Sequence, residues 1–176
     1  MKKLLLVSVL MFFTTISFSQ DVRYGVRVAI NNSNLKFDPD VDFENDTRNG
    51  FAFAGFVDFG FSEELSLRTE LQWSAEGGKD ESIRADYIHM PLLLKLSTSD
   101  RFSLMAGPQA SLKTWKDADG FATFAFSGVI GAEYMITNEL FIDARFAFGF
   151  TNILDEDLTA VEAKNHVLQV GFGIKI

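Results

Sequence analysis

Between residues 65 and 75 the chain reads LSLRTELQWSA, and for ten residues its character changes at every step. Leu65, Leu67, Thr69, Leu71 and Trp73 share one face, and Ser66, Arg68, Glu70, Gln72 and Ser74 share the other. Strand side chains switch faces at each residue, whereas a helix would scatter these leucines around its circumference, so the period of two assigns a strand. About eleven residues is also the length a tilted strand needs to cross a bilayer. A chain built on such a segment must place one greasy face and one charged face, and the fold follows from which of them is enclosed.

The same alternation recurs over residues 22–30, 51–61, 87–97, 102–113, 124–136, 140–150 and 167–176. With the first segment this predicts eight strands. Tight turns are expected after the second, fourth and sixth strands, and long polar loops at 31–49, 76–84, 115–120 and 151–165. Pro91 falls inside the fourth strand, which predicts a bulge or a missing ladder bond there. Eight antiparallel strands with one trimmed end and one ragged end suit a closed up-and-down barrel.

Alternation is shared by soluble and membrane barrels, and side-chain volume separates them. The apolar set is uniformly bulky, drawing on 19 Phe as well as Leu, Ile and Val. An eight-stranded barrel is only just wide enough for side chains to fill, so that set would overfill it. The opposite set mixes Gly, Ala and Ser with a few long charged residues. The apolar face is therefore expected outside, in hydrocarbon, which predicts an all-β, eight-stranded antiparallel up-and-down transmembrane β-barrel. Leu65, Leu67, Leu71, Trp73, Phe146 and Phe148 are the expected lipid-facing residues. Trp73 and Trp115 both fall near the loop-bearing end, where an interfacial aromatic girdle belongs, with ordinary packing beneath a loop as the alternative. A soluble lipocalin-like periplasmic carrier, with the faces reversed, is the alternative architecture.

With the polar face inside, the lumen collects Arg27, Arg68, Glu70, Asp143 and Arg145 near mid-height. Arg23, Asp58, Lys95, Glu133 and Lys175 fall toward the end that carries the short turns. Charges in a narrow, dry space are costly unless paired. A lumen plugged by an ion network through Arg27, Arg68, Glu70, Glu133, Asp143 and Arg145 is expected, with a small gated pore as the alternative.

The first residues, MKKLLLVSVLMFFTTISFSQ, have the form of a secretory signal: Lys2 and Lys3, an apolar run, then small residues at Ser17 and Ser19. The expected division is a signal peptide over 1–19 and a barrel domain over 20–176. The net charge of −8 becomes more negative when the two leader lysines are removed, so nucleic acid is not an expected partner. The absence of Cys excludes a disulfide framework, a thiolate metal site and a cysteine nucleophile.

Two candidate chemistries remain. Asp38, Asp40, Asp42, Glu44 and Asp46 alternate in DPDVDFEND and would attract calcium if extended, although the loop lacks the glycine that an EF-hand turn requires. His89 and His166 are the two histidines of the chain. His89 faces the expected lumen, where a serine and an acid would complete a hydrolytic set, but no G-x-S-x-G motif accompanies it. The chain is read as non-enzymatic, with no cofactor.

YIHMPLLLKLS at 87–97, LMAGPQASL at 104–112 and LFIDARFAFGFTNI at 140–153 resemble the small outer-membrane β-barrel family common in Bacteroidetes, often labelled porin-like or PorT-like. The shared marks are an aromatic residue, three intervening residues and then Pro-Leu-Leu-Leu-Lys, and a late strand with an inward Asp and Arg followed by Gly. The chain departs from that pattern at His89, where an acid is common, and at Ile176, where a terminal aromatic is common. The outward apolar face and the secretory signal together predict an outer-membrane location, and the expected partners are outer-membrane lipid, the barrel-insertion machinery and a protein at the acidic extracellular loops, with the barrel a monomer. The resemblance implies an alternative role as an accessory of a secretion or gliding apparatus.

Overall fold

In a computed structural model of the chain, residues 21–38, 46–79, 84–114, 122–154 and 162–176 are described. They form eight strands: β1 (Val22–Asp38), β2 (Arg48–Gly60), β3 (Leu65–Gly77), β4 (Arg84–Ser97), β5 (Phe102–Lys113), β6 (Phe124–Met135), β7 (Leu140–Gly149) and β8 (Glu162–Lys175). Each strand pairs antiparallel with the next, and β8 returns to β1 from Gly25↔Lys175 to Asp38↔Glu162, closing the barrel. Closure leaves no unpaired sheet edge, the condition for a sheet to sit in hydrocarbon.

The faces are arranged as volume requires. Ile30 is 70% exposed and Leu71 61% exposed on the outside, whereas Arg27 is 1% and Arg68 0% exposed within. A soluble carrier needs the reverse, so the faces-reversed alternative is excluded. Outward Leu65, Leu67, Trp73 and Phe148 are half-buried among their neighbours, and Phe146 is exposed. Trp73 stacks on Phe53 and tilts against Phe51, each at 5.3 Å between ring centroids.

The strands outrun the expected bounds on the long-loop side. Residues 31–38 are strand, not loop, and so are 48–50, 76–77, 84–86 and 162–166. The reason is a change of polarity along one strand. Up to Ile30 the apolar residues of β1 point outward; beyond it Asn32, Asn34 and Lys36 are exposed, and Leu35 and Phe37 are buried inside. Above the hydrocarbon the barrel is an ordinary water-facing one, with a small apolar core of Leu35, Phe37, Ala85, Tyr87, Ala125, Ile153 and Ala163. Residues 151–154, expected as loop, run across this end and insert Ile153. The Ile153 N–H donates to the Ala163 carbonyl (2.9 Å), its carbonyl accepts from Ala122 N–H (2.7 Å), and Asn152 Oδ1 accepts from the N–H groups of Leu154 and Ala163.

Pro91 costs ladder bonds and introduces no bulge. The β3–β4 register is the same at Thr69↔Leu92 and at Gln72↔His89, and only the pairs between them are skipped.

Candidate functional site: the charged and polar lumen

Strand alternation delivers the interior side chains, and the register sets their heights. Five buried cations (Arg27, Arg68, Lys95, Arg145, Lys175) meet five buried carboxylates (Asp58, Glu70, Glu76, Glu133, Asp143) among the described residues. They fall into layers.

The layer nearest the short turns is centred on Arg68 and Glu133. Arg68 donates from Nε and Nη2 to the two oxygens of Asp58 (2.5 and 2.7 Å), and its Nη1 lies 2.7 Å from Glu133 Oε2. Lys175 Nζ donates to Glu133 Oε1 (2.9 Å), and Lys95 Nζ donates to the same oxygen. Both lysines also face Asp58 Oδ2, at 3.7 Å for Lys95 and 3.4 Å for Lys175. The Arg68 guanidinium lies 4.0 Å from the Phe56 ring centre and 5.4 Å from that of Phe141, and the two rings meet edge-on at 5.7 Å. These rings fit because glycine lies beside them. A Cβ on Gly25 would strike the Phe56 ring, and one on Gly173 would strike the Phe141 ring.

At mid-height Arg27 grips Asp143 with Nε and Nη2, both at 2.7 Å, and gives Nη1 to Gln72 Oε1 and Gln169 Oε1 (3.1 Å each). Arg145 donates Nη1 to Glu70 Oε2 (2.8 Å) and sets Nη2 3.0 Å from Asp143 Oδ2. Bidentate forks of this kind offset much of the desolvation cost of the charges. An apolar patch of Leu93, Met105, Val129 and Ala147 fills the β4–β7 side.

Above them is a polar layer around Glu76 and His89. Glu76 Oε1 accepts from His89 Nε2 (2.8 Å) and from Ser74 Oγ (2.7 Å); Oε2 accepts from Asn165 Nδ2 (2.7 Å). His89 Nδ1 lies 2.7 Å from Ser111 Oγ and 3.2 Å from Gln109 Nε2. Serine, histidine and acid are thus adjacent, as hydrolytic chemistry would require. All three are buried, Tyr87 and Ile153 lie between them and the outside, and the adjoining cavity is about 20 Å³. That space holds a water molecule and no ester. Toward the short turns the lumen opens into a vestibule of about 1180 Å³ floored by Asp58, Lys95, Lys175 and Met135.

The structure therefore brings together all six residues expected of the network: Arg68 and Glu133 in the first layer, and Arg27, Glu70, Asp143 and Arg145 in the second. Arg23, also placed in the lumen by alternation, instead lies exposed at the rim, paired with Asp21 at 2.7 Å, because the lumen widens there into solvent. Glu76 falls in the expected loop over 76–84 but lies on β3; its parity with Gln72 and Ser74 is the signal that the strand continues. Phe56 and Phe141 carry no polar mark, and nothing short of the register places them beside Arg68.

Of the acidic run, Asp40, Asp42 and Glu44 lie outside the described residues, as does Trp115. Asp38 pairs with Glu162 through the ladder, and Asp46 Oδ2 accepts from Lys79 Nζ (2.8 Å). No group of three or more potential metal ligands is gathered among the described residues.

No curated protein matches the chain at a significant level. Among solved structures, Neisserial surface protein A is 12% identical with a TM-score of 0.56, over 87% of this chain and 97% of that one. The attachment invasion locus protein Ail of Yersinia pestis is 13% identical with a TM-score of 0.53, over 88% of this chain and 98% of that one. At such identities the likeness is one of fold. A family model described as the outer membrane protein beta-barrel domain matches residues 18–155, β1 through β7 together with the connection that seals the outer end. Greasy exterior, paired interior and matched sequence agree, and the chain belongs to the outer membrane protein β-barrel domain family.

Proposed function

We propose that this outer-membrane protein is a closed, non-enzymatic barrel that neither conducts nor turns over substrate, and that it acts through its extracellular rim and loops. The observation that carries this reading is the filling of the lumen. Two charged layers cross it, and the Ile153 core covers the outer end. The Ser111–His89–Glu76 set acts in this reading as structural hydrogen bonding, because its cavity has no room for a substrate. The lumen network of Arg27, Arg68, Glu70, Glu133, Asp143 and Arg145 is the plug, and Leu65, Leu67, Leu71, Trp73, Phe146 and Phe148 are the lipid anchor.

Single-channel recording in planar bilayers tests this. The expected record is flat, and steady conductance well above the lipid background refutes the plug in favour of a small pore. Removal of residues 1–19 belongs to the same reading, and the intact mass of the membrane-fraction protein should place its first residue at Gln20.

The resemblance to PorT-like barrels at 87–97, 104–112 and 140–153 favours a second reading, an accessory of a secretion or gliding apparatus. Crosslinking in cells followed by denaturing pull-down separates the two. Recovery of apparatus components supports the accessory role, and recovery of the monomer alone opposes it. Calcium at 38–46 is tested by calorimetry on the refolded barrel with and without chelator, where heat at submillimolar calcium would support a site.

A further inference from the structure

The cavity of about 20 Å³ beside the Glu76–His89 layer is bounded by Tyr87, Ser111, Ser127, Ala147, Ile153 and Asn165. Tyr87 is 2% exposed, and its Oη has no hydrogen-bond partner; Asn165 Oδ1 is likewise buried and unpartnered. The amide orientation of Asn165 is fixed, because Nδ2 donates to Glu76 Oε2 and so turns the oxygen away. One wall thus offers a hydroxyl that can donate and accept, and the other an oxygen that can only accept.

We propose that this cavity binds one ordered water molecule, which accepts the Tyr87 hydroxyl proton and donates to Asn165 Oδ1. The volume is what a single water needs, and a site with two or more polar partners holds it. Other occupants fit less well. A cation would look to Glu76, but both oxygens of that carboxylate are already taken by Ser74, His89 and Asn165. An apolar molecule would leave both unpartnered oxygens unpaired and would not fit the space. Buried polar groups in native proteins almost always find a partner, and water is the one that matches both of these. The water ties β4 to β8, two strands that do not pair, and holds Tyr87 over the His89 ring on which it stacks at 5.7 Å.

The test is a crystal structure of the mature barrel in detergent, at a resolution that shows ordered solvent, for the wild type, Tyr87→Phe and Ala147→Val. The wild type should show a spherical peak at hydrogen-bonding distance from Tyr87 Oη and Asn165 Oδ1. Tyr87→Phe should lose it for want of a donor, and Ala147→Val because the added methyls occupy the space. An independent readout needs no variant: in wild-type protein in nanodiscs, the Tyr87 hydroxyl proton should show a rotating-frame cross-peak to water. A wild-type structure without the peak overturns the proposal. So does a Tyr87 hydroxyl bonded directly to protein, or a peak unchanged in Tyr87→Phe.

Discussion

Glu133→Gln is the perturbation that most directly probes how the lumen is held. Glu133 is 1% exposed and is the shared counter-ion of three cations: Arg68 at 2.7 Å, Lys175 at 2.9 Å and Lys95. Glutamine keeps the volume, so packing is almost unchanged, but three buried positive charges are left sharing Asp58, with Glu70 at 3.9 Å as a second, more distant carboxylate for Arg68. Removing one partner of a buried ion pair typically costs about 3–5 kcal/mol, because the remaining charge stays desolvated. Three orphaned partners place this change at the upper end. With a urea slope of about 2 kcal/mol/M, a loss of about 4 kcal/mol moves the unfolding midpoint down by about 2 M. The assay is equilibrium urea unfolding in lipid vesicles, read by the heat-sensitive migration of the folded band. The companion variant Glu133→Gln/Lys175→Met removes one orphan, and it should be more stable than Glu133→Gln alone even though a second native residue is gone. In a double-mutant cycle the coupling should reach about 2 kcal/mol. A Glu133→Gln loss below about 1 kcal/mol, or a double variant weaker than the single, refutes the account of the lumen as a charge-balanced plug.

Three other outcomes follow from the same geometry. Leu71→Arg, on the outer face near mid-height, should destabilise vesicle-folded protein by about 2–4 kcal/mol, the usual cost of a cation in mid-bilayer, measured by the same urea titration. In a Trp115→Phe background, Trp73 emission should be quenched by lipids brominated near the headgroup more strongly than by deep-brominated lipids, since the ring belongs to the interface; equal quenching would displace it. Gly173→Val drives its Cβ into the Phe141 ring and to 2.7 Å from the Val26 carbonyl, so overpacking should cost about 1–3 kcal/mol and lower the temperature at which the folded band disappears.

Most of the barrel could be read from the sequence because one physical rule operates over its whole membrane-spanning part. Where lipid is outside and charge inside, parity alone orients every residue, and Arg27, Arg68, Glu70, Glu133, Asp143 and Arg145 were placed by it. The rule fails where the solvent changes. Beyond Ile30 water replaces lipid, the apolar residues Leu35 and Phe37 turn inward, and a reading tuned to the lower pattern takes a continuing strand for a loop. Arg23 fails for a related reason, because at the open mouth parity no longer implies burial. The partners inside the lumen were hidden for another cause. Parity gives a side, while Arg27 meeting Asp143 or Arg68 meeting Glu133 depends on the stagger of strands far apart in sequence. The sheltering of Phe56 and Phe141 over Gly25 and Gly173 needs three-dimensional register, and so does the union of Glu76, His89 and Ser111.

The connection that runs from β7 across the outer end has a bearing on how the molecule is assembled. A sheet has no interior until its first and last strands meet, and Arg27 on β1 draws on Asp143 of β7 and Gln169 of β8, 116 and 142 residues away. Its ionic contacts and the insertion of Ile153 therefore arrive with the final hairpin. Until then Arg27 and Asp143 keep their own shells of water, whereas Arg68 already faces Asp58 across the β2–β3 ladder. Joining the seam expels that water, fixes Arg27 on Asp143 and Gln169, and lets Ile153 shut the door behind them.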